Sequence, residues 1–357
     1  MNGIKKKGLI VLFILLAILS GCAPQSPEKN EEKTEKNVKE IKENLQLFFL
    51  NSILVLDIRD ERDDKQEIQE EVQERMQDIE EKMSLHMKET EIQKINAKAG
   101  IEAVEVSEDS YNVIESAIRY AELSKGKFDI SVGSLVELWG IGTEEERVPA
   151  QEEIEQALAT VDYREIELDP EKRSVYLKKE GMKIDLGAIA KGYAADQILG
   201  ILKKYQVESA IINLAGNIFV HGDKGGQPFR VGIQDPFQDR GTFVGIYAAR
   251  DLSVVTSGVY ERFFEQDGER YHHILSTKDG YPVNNELVSV SILSEKSMDG
   301  DALSTSVFAM GLEEGMKLIE SLEGVEAICI DREKNIYLSS GAGANFELTD
   351  TSFSIRK

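Results

Sequence analysis

The sequence has little cysteine and histidine and far more acidic than basic side chains. Its 357 residues include only two cysteines, Cys22 and Cys329, which excludes a disulfide framework. Lysine and arginine number 42 against 65 aspartates and glutamates, and the net charge of −23 argues against nucleic acid or an anionic bilayer surface as a partner. The GxGxxG and GxxxxGKS/T motifs are both missing, which excludes the Rossmann and P-loop phosphate sites. An anionic ligand would therefore need a local cation, a metal or backbone amides.

The amino-terminal segment lacks an apolar run long enough to cross a membrane. The run over residues 9–19 is shorter than the roughly 20 residues of a transmembrane helix, and lysines at 5–7 precede it. It ends in Leu-Ser-Gly-Cys, which places Cys22 where a lipobox is cleaved and acylated. We therefore predict a signal peptide over 1–21 and a lipid anchor on Cys22, on the extracytoplasmic face of the bacterial cell membrane. The alternative is an uncleaved membrane helix with an incidental cysteine.

The rest of the chain divides by composition into a charged segment and a long body. Residues 22–46 are mostly Glu, Lys and Asn, and such a segment cannot bury enough surface to offset its ordering entropy. We predict a solvated tether there, a single elaborated domain over 47–341 and a carboxyl-terminal tail over 342–357. Hydrophobic residues make up 41% of the sequence, which is enough for a sizeable core.

Hydrophobic periodicity predicts interleaved helices and strands in the body of the chain. Ile68, Val72, Met76, Ile79 and Met83 recur at helical spacing, which predicts an amphipathic helix. Further helices are predicted over 111–124, 188–205, 301–311 and 313–322, strands over 47–58, 209–214 and 287–293, and hairpins over 165–178 and 327–339. No strict βαβ period is present, so we expect an α+β fold, a mixed layered α/β sandwich rather than a doubly wound parallel sheet.

Polar groups and glycines interrupt the apolar sequence at three places. In the first, Asp185 follows a short hydrophobic strand, and small residues between Gly187 and Gly192 allow a close turn into a helix. Backbone amides and the helix dipole would favour a bound phosphate at such a helix N-terminus. The competing interpretation is that Asp185 caps the helix and the glycines serve packing alone.

The second place is the stretch Met-Asp-Gly-Asp-Ala-Leu-Ser-Thr over 298–305. If Asp301 opens a helix, Thr305 lies one turn further along on the same face. A carboxylate and a hydroxyl on one face can ligate a hard cation. Mg²⁺ is the natural choice because it completes its octahedron with phosphates and water. The competing interpretation is helix capping by Asp299 or Asp301.

The third place sets two of the four histidines, His272 and His273, side by side. Adjacent side chains of a strand face opposite sides, so only one of the two can enter a site. Neither has a second Cys or His at ligand spacing, which argues against zinc. A histidine titrates near neutral pH and is the usual proton shuttle, although a lone strand histidine is more often structural.

Together and in this order, these stretches resemble the FAD:protein FMN transferases, the ApbE family of lipoproteins. The resemblance covers residues 83–341 and is highly specific, because many collinear blocks follow a lipobox. The blocks are Lys-Phe-Asp-Ile-Ser-Val-Gly at 127–133, Leu-Trp-Gly-Ile-Gly at 138–142, Asp-Leu-Gly-Ala-Ile-Ala-Lys-Gly-Tyr-Ala at 185–194, Asn-Leu-Ala-Gly-Asn at 213–217, Val-Gly-Ile-Gln-Asp-Pro at 231–236, Thr-Ser-Gly at 256–258, Tyr-Glu-Arg at 260–262, His-Ile-Leu at 273–275 and Asp-Ala-Leu-Ser-Thr at 301–305.

The resemblance implies a reaction and a set of site residues. The protein would bind FAD as substrate beside Mg²⁺, cleave the pyrophosphate, link FMN to a Thr or Ser hydroxyl of a target protein and release AMP. The target would be an FMN-acceptor protein of a membrane redox chain. His273 matches the family's catalytic histidine, and we expect it to assist deprotonation of the incoming hydroxyl. The implied metal ligands are the Asp301 carboxylate, the Thr305 hydroxyl and the Ala188 backbone carbonyl, and the implied FAD contacts are His86, Lys127, Phe128, Asp129, Asp185, Lys191 and Ile274.

The sequence departs from the family pattern at three points. The usual Met-Gly-Thr after the first strand is Leu50-Asn51-Ser52 here. A flavin-facing Tyr is replaced by His86, and the Asp-Pro after the histidine strand is replaced by Ser276-Thr277. These differences concern the contacts with the isoalloxazine ring more than the metal ligands.

Two other functions stay open alongside transfer. One is Mg²⁺-dependent hydrolysis of FAD to FMN and AMP, in which water replaces the acceptor hydroxyl. The other is non-catalytic binding of FAD by a lipoprotein, which would need no proton shuttle. The joint presence of Asp301, Thr305 and His273 favours chemistry over storage.

Overall fold

The computed structural model of the protein describes residues 44–356. The predicted signal peptide, the lipid anchor at Cys22 and the tether as far as residue 43 lie outside the described residues. The strands are β1 Leu45–Phe49, β2 Ser52–Ile58, β3 Val104–Glu105, β4 Ile166–Asp169, β5 Ser174–Leu177, β6 Ser209–Leu214, β7 Asn217–Gly222, β8 Phe229–Gln234, β9 Phe243–Ala249, β10 Leu252–Gly258, β11 Phe263–Gln266, β12 Glu269–His272, β13 Leu287–Ser294, β14 Val325–Asp331, β15 Asn335–Leu338, β16 Phe346–Leu348 and β17 Ser354–Arg356. The α-helices are α1 Lys65–Met83, α2 Glu91–Ala97, α3 Glu108–Leu123, α4 Gly133–Trp139, α5 Gln151–Leu158, α6 Ala190–Lys204, α7 Ser297–Met310 and α8 Leu312–Glu320.

One nine-stranded sheet organises the fold, in the order β1-β2-β6-β7-β10-β13-β14-β15-β17. Neighbouring strands are antiparallel except β15 and β17, which run parallel. Smaller sheets are formed by β11-β12, by β16-β9-β8 and by β3-β5-β4. The mainly antiparallel main sheet excludes a doubly wound parallel arrangement, as the sequence predicts.

Side chains on the two faces of the main sheet enter two separate cores. Successive residues of a strand point to opposite faces, and β14 follows this rule. Ala327 and Cys329 pack into a core shared with the helices, whereas Ile328 and Ile330 pack into a core shared with β8 and β9. Helices, main sheet and small sheet therefore form stacked layers, and the predicted α+β sandwich is confirmed.

The helix predicted from residue 68 onward is α1. All five residues of its apolar stripe are at most 3% exposed, which confirms the helical spacing read from the sequence. They are Ile68, Val72, Met76, Ile79 and Met83. Within residues 44–356, no helix is long and apolar enough to cross a bilayer.

The strand predicted over 47–58 is instead a hairpin of β1 and β2. Leu50 and Asn51 connect the strands with φ angles of 44° and 57°. Two successive left-handed residues form the tight turn whose twist matches antiparallel strands. The prediction was wrong because Leu50 is apolar and hides the turn in an otherwise continuous hydrophobic run.

Helix α7 begins at Ser297, four residues before the start predicted from Asp301. The cap comes from another helix: the Asp196 carboxylate of α6 accepts hydrogen bonds from the amides of Ser297 at 2.8 Å and Met298 at 3.0 Å. Asp299 instead accepts a hydrogen bond from the Tyr120 hydroxyl. Capping by Asp299 or Asp301 is therefore excluded, and Thr305 still lies one turn beyond Asp301.

The segment predicted as a carboxyl-terminal tail over 342–357 is part of the fold as far as residue 356. Strand β16 pairs with β9, and β17 pairs with β15. The Phe353 side chain is only 3% exposed. The prediction was wrong because strands this short leave no clear periodic pattern in the sequence.

Candidate active site

A cleft with a volume of about 1280 Å³ lies where the β1–β2 turn, the start of α6, β10 and α7 meet. Every predicted site residue of the described chain lines this cleft. They are His86, Lys127, Phe128, Asp129, Asp185, Ala188, Lys191, His273, Ile274, Asp301 and Thr305. Residues more than 200 positions apart in the sequence are thus brought to one place.

The turn that leads into α6 is held by Asp185. Its carboxylate accepts a hydrogen bond from the Gly187 amide at 2.7 Å, and its own amide donates to the Ile130 carbonyl at 2.8 Å. Helix α6 starts only at Ala190, so Asp185 is not its N-cap. The Lys191 ammonium donates to the Gly187 carbonyl at 3.0 Å, which closes the turn from the other side.

Asp301 connects α7 to this turn. Its Oδ2 accepts a hydrogen bond from the Gly192 amide at 2.9 Å, and its Oδ1 lies 3.9 Å from the Lys191 ammonium. Gly192 lies in the first turn of α6, where backbone amides have no acceptor within the helix, and the Asp301 carboxylate supplies one. Ala188 precedes the N-cap Ile189, so its carbonyl is outside the helix, in a residue that lines the cleft.

Helices α6 and α7 are fixed against each other by three contacts. Besides the Gly192–Asp301 bond, Asp196 caps α7, and burial raises the pKa of its carboxyl to about 6. The third contact is steric, because a Cβ at Gly192 would lie 2.4 Å from the Ser297 carbonyl oxygen. The two elements that carry Lys191 and Asp301 therefore have one relative position.

Gly192→Ala is expected to lower the free energy of unfolding by about 3 kcal/mol, since overpacking against backbone atoms cannot be relieved by a rotamer change. Chemical denaturation of the variant and the wild-type protein measures this loss of stability. Gly200→Ala on the same helix is the matched control, because its Cβ would meet nothing within 4 Å. That control should be neutral or slightly stabilising. Equal stability of the two variants would contradict the packing argument.

Thr305 presents its hydroxyl beside a short row of serines. Ser257 Oγ lies 3.4 Å from Thr305 Oγ1 and 2.8 Å from Ser304 Oγ. Ser304 also donates to the Asp301 carbonyl at 3.0 Å. Strand β10 therefore supports the α7 turn that carries two of the three predicted metal ligands.

The oxygen atoms at this end of the cleft suit a hard cation with few protein ligands. Asp301 supplies a carboxylate, Thr305 a hydroxyl and Ala188 a carbonyl, and Mg²⁺ accepts such oxygens while keeping water or phosphate as its other ligands. Over residues 44–356 no three His, Cys, Asp or Glu side chains are grouped for metal binding. A cation here would depend on the mixed set around Asp301.

The two adjacent histidines occupy opposite environments, as the strand rule predicts. His272 is 6% exposed, and its Nε2 lies 2.9 Å from the Val283 carbonyl oxygen. Burial lowers the pKa of His272 to about 4. His273 lines the cleft, and its Nδ1 lies 3.2 Å from the Arg262 carbonyl oxygen. Burial and the Arg262 charge hold the pKa of His273 well below its usual range.

The neutral form of His273 has a defined tautomer. Its Nδ1 can bond the Arg262 carbonyl only by donating a proton, so Nε2 carries the lone pair. That nitrogen is therefore the one available to accept a proton in the cleft.

The other predicted ligand contacts differ in what their side chains offer. Lys127 and His86 are exposed at the cleft, whereas Phe128 and Ile274 are at most 5% exposed and supply an apolar wall. Both Asp129 oxygens are already used: Oδ1 accepts from the Ser131 amide and hydroxyl, and Oδ2 accepts from the Tyr163 amide. Asp129 thus holds the loop in shape.

The departures from the family pattern have structural roles of their own. The Thr277 hydroxyl donates to the Gly126 carbonyl at 2.7 Å, which ties the segment after His273 to the loop that begins at Lys127. The Leu50 amide donates to Glu80 Oε1 at 2.9 Å, which fixes the β1–β2 turn on the cleft rim. Thr277 therefore supports the cleft wall through its side chain, whereas the contact at Leu50 is made by the backbone.

Three residues of this end of the molecule were not assigned roles from the sequence. Asp196 caps α7, Ser257 supports Thr305, and Asn217 is one of the residues that line the cleft. Ser257 and Asn217 belong to sequence blocks that match the family, and this match could have indicated that they lie at the site. Nothing in the sequence indicated the role of Asp196, because its hydrogen-bond partners lie 101 and 102 residues away along the chain.

The fold is similar to solved structures of ApbE proteins, among them flavin transferases. The ApbE protein of Thermotoga maritima matches with a TM-score of 0.74 and 34% identity, over 86% of this chain and 97% of that one. The flavin transferase ApbE of Vibrio cholerae matches with a TM-score of 0.76 and 26% identity, over 85% and 98%. Fold and cleft therefore define a protein of the flavin transferase class.

Sequence comparison gives the same family. The ApbE family model matches residues 50–329. The FAD:protein FMN transferase of Klebsiella pneumoniae is 38% identical over 276 residues, which is 77% of this chain and 86% of the relative. That of Treponema pallidum is 36% identical over 302 residues, or 81% and 83%. The chain belongs to the ApbE family.

Proposed function

We propose that the protein transfers FMN from FAD to a hydroxyl group of a target protein and releases AMP. Its similarity to named FAD:protein FMN transferases over about four fifths of the chain supports this reaction. The observation that carries it is the convergence of Asp301, Thr305 and His273 on one cleft. A carboxylate–hydroxyl pair and a neutral histidine are what transfer to a hydroxyl requires.

We further propose that Mg²⁺ is held by the Asp301 carboxylate, the Thr305 hydroxyl and the Ala188 carbonyl. The position of all three residues in one cleft supports this set, and the Gly192–Asp301 hydrogen bond joins α7 to the turn that carries Ala188. Bound there, Mg²⁺ would offset negative charge on the pyrophosphate. The Lys191 ammonium, 3.9 Å from Asp301 Oδ1, adds a second positive charge at the same end of the cleft.

The protein's own groups then have separate tasks. The apolar wall of Phe128 and Ile274 suits the flavin ring, and the Asp185 turn positions the start of α6. His273 Nε2 accepts the proton of the incoming hydroxyl. The hydroxyl oxygen forms a bond to the FMN phosphorus, the pyrophosphate P–O bond breaks, and AMP leaves with the bonding electrons.

The location follows from the sequence and is part of the proposal. A lipid on Cys22 and the charged segment 22–46 would hold the domain at the extracytoplasmic membrane face. The acceptor would then be an exported or membrane-bound FMN-binding protein of a redox chain. Radiolabelled palmitate incorporated by the wild type but not by Cys22→Ala would support the anchor, and equal labelling would contradict it.

The transfer reaction is tested with the purified protein, FAD, Mg²⁺ and an FMN-binding acceptor domain. We expect flavin fluorescence on the acceptor band in a denaturing gel and one AMP released per FMN attached. AMP release without labelled acceptor would instead indicate hydrolysis to FMN and AMP. Tight FAD binding without AMP release would indicate a storage protein. Changing the acceptor Thr or Ser to Ala is the control, because it removes only the attacking hydroxyl.

A further inference from the structure

One buried side chain of the cleft has a hydrogen-bonding group without a partner. Over residues 44–356, the buried side-chain polar atoms that have no partner are Ser110 Oγ and Asn217 Nδ2. Asn217 is 1% exposed and lines the cleft, whereas Ser110 lies outside it. Folding rarely leaves a buried amide donor unpaired, so the Asn217 amide invites a functional explanation.

The orientation of the Asn217 amide is fixed by a chain of buried serines. Ser253 Oγ donates to Ser297 Oγ at 3.0 Å, and Ser297 Oγ donates to Asn217 Oδ1 at 2.5 Å. Both serines are completely buried. The carbonyl half of the amide is therefore used, whereas the Nδ2 group of this cleft-lining residue has no hydrogen-bond partner among residues 44–356.

The position of Asn217 is at the Asp301 end of the cleft. Asn217 pairs with Val255 across β7 and β10, and two residues further along β10 the Ser257 hydroxyl lies 3.4 Å from Thr305 Oγ1. Its hydrogen-bond partner Ser297 stands one helical turn before Asp301 on α7. Asn217 thus contacts strand β10, which carries Ser257, and helix α7, which carries Asp301 and Thr305.

We propose that Asn217 is a phosphate-binding residue whose Nδ2 donates to a non-bridging oxygen of the FAD pyrophosphate. This inference rests on the proposed function, because it takes FAD as the ligand. An anionic oxygen is a strong acceptor for a desolvated N–H donor. A neutral donor binds the phosphate without competing with the cation for the Asp301 carboxylate. The Nδ2 group of Asn217 then has a hydrogen-bond acceptor only when FAD is bound.

Asn217→Asp is the most selective test, since it keeps the acceptor for Ser297 and replaces only the NH₂ group. Asn217→Ala is the second variant. Binding of FAD, FMN and riboflavin is measured by flavin fluorescence in EDTA, which removes the metal and prevents turnover. Losing a hydrogen bond to a charged group should weaken FAD binding about 10- to 100-fold in the Ala variant. The Asp variant should lose more, and riboflavin, which has no phosphate, should bind both variants as it binds the wild type.

The matched control is Ser110→Ala, which removes the other unpaired buried atom and should bind FAD as the wild type does. FAD affinity within twofold of the wild type in both Asn217 variants would overturn the inference. An equal loss for riboflavin and FAD would also overturn it, because the amide would then contact the flavin ring. Neither result would touch the proposed transfer reaction. Failure of the wild type itself to bind FAD, both in EDTA and with Mg²⁺ present, would instead overturn the proposed function.

Discussion

Asp301→Ala is expected to abolish FMN transfer, with a loss of about 1000-fold or more, because the cleft loses the carboxylate proposed to hold the metal and several kcal/mol of transition-state stabilisation with it. The Gly192 amide also loses its acceptor. The rate of acceptor labelling measures the first effect. Titration with Mn²⁺, followed by electron paramagnetic resonance, measures metal affinity independently of turnover.

Asp299→Asn is the matched control for Asp301→Ala. Asp299 belongs to the same helix, but its carboxylate bonds the Tyr120 hydroxyl away from the cleft-lining residues. Its substitution should leave Mn²⁺ affinity and transfer close to those of the wild type. Transfer by Asp301→Ala at more than a tenth of the wild-type rate would contradict the proposed metal site.

His273→Ala should lower the rate of transfer about 100- to 1000-fold, in the range typical of a lost general base. FAD affinity should change little, since the imidazole acts on the acceptor hydroxyl and not on the ligand. His272→Ala is the control of identical chemistry. Because His272 is buried against Val283, this variant should lose stability and retain most of its turnover. The reverse pattern, in which His272→Ala loses turnover and His273→Ala retains it, would contradict the assignment of proton transfer to His273.

The pH dependence of transfer gives a second test of His273. A base must be neutral to accept a proton. Because the pKa of His273 is lowered, its imidazole stays neutral at pH values below the ordinary histidine pKa of about 6.5. The rate constant should therefore stay flat as the pH is lowered through the ordinary histidine value and fall only below it. An acid limb in the wild type with its midpoint above pH 6.5 would contradict this. His273→Ala should lose the limb.

The sequence predicted those helices and strands in which buried residues recur at a regular spacing. The stripe from Ile68 to Met83 and strand β6 were recovered because burial repeats at the period of the element. The β1–β2 turn was missed because left-handed conformations at Leu50 and Asn51 depend on the paired strands and not on an apolar pattern. Likewise, no local signal placed the α7 start at Ser297, since its cap is supplied from α6.

The candidate site, like the fold, could be predicted only in part from the sequence. Residue identities along the chain were enough to name Asp301, Thr305 and His273, because the family resemblance fixes them by position. The contact between the Gly192 amide and Asp301, and the unpaired amide of Asn217, could not be predicted. Both depend on distances between elements far apart in sequence, which only the folded chain defines.

The final strands affect how the protein can be shortened. The family match ends at residue 329, but β15 covers the outer side of β14, and β16 covers the outer side of β9. A chain cut at that boundary would expose rows of unpaired backbone amides and carbonyls on two sheets. Such edges add strands from other molecules and promote aggregation. Soluble versions for binding and transfer assays should therefore keep the sequence through residue 356.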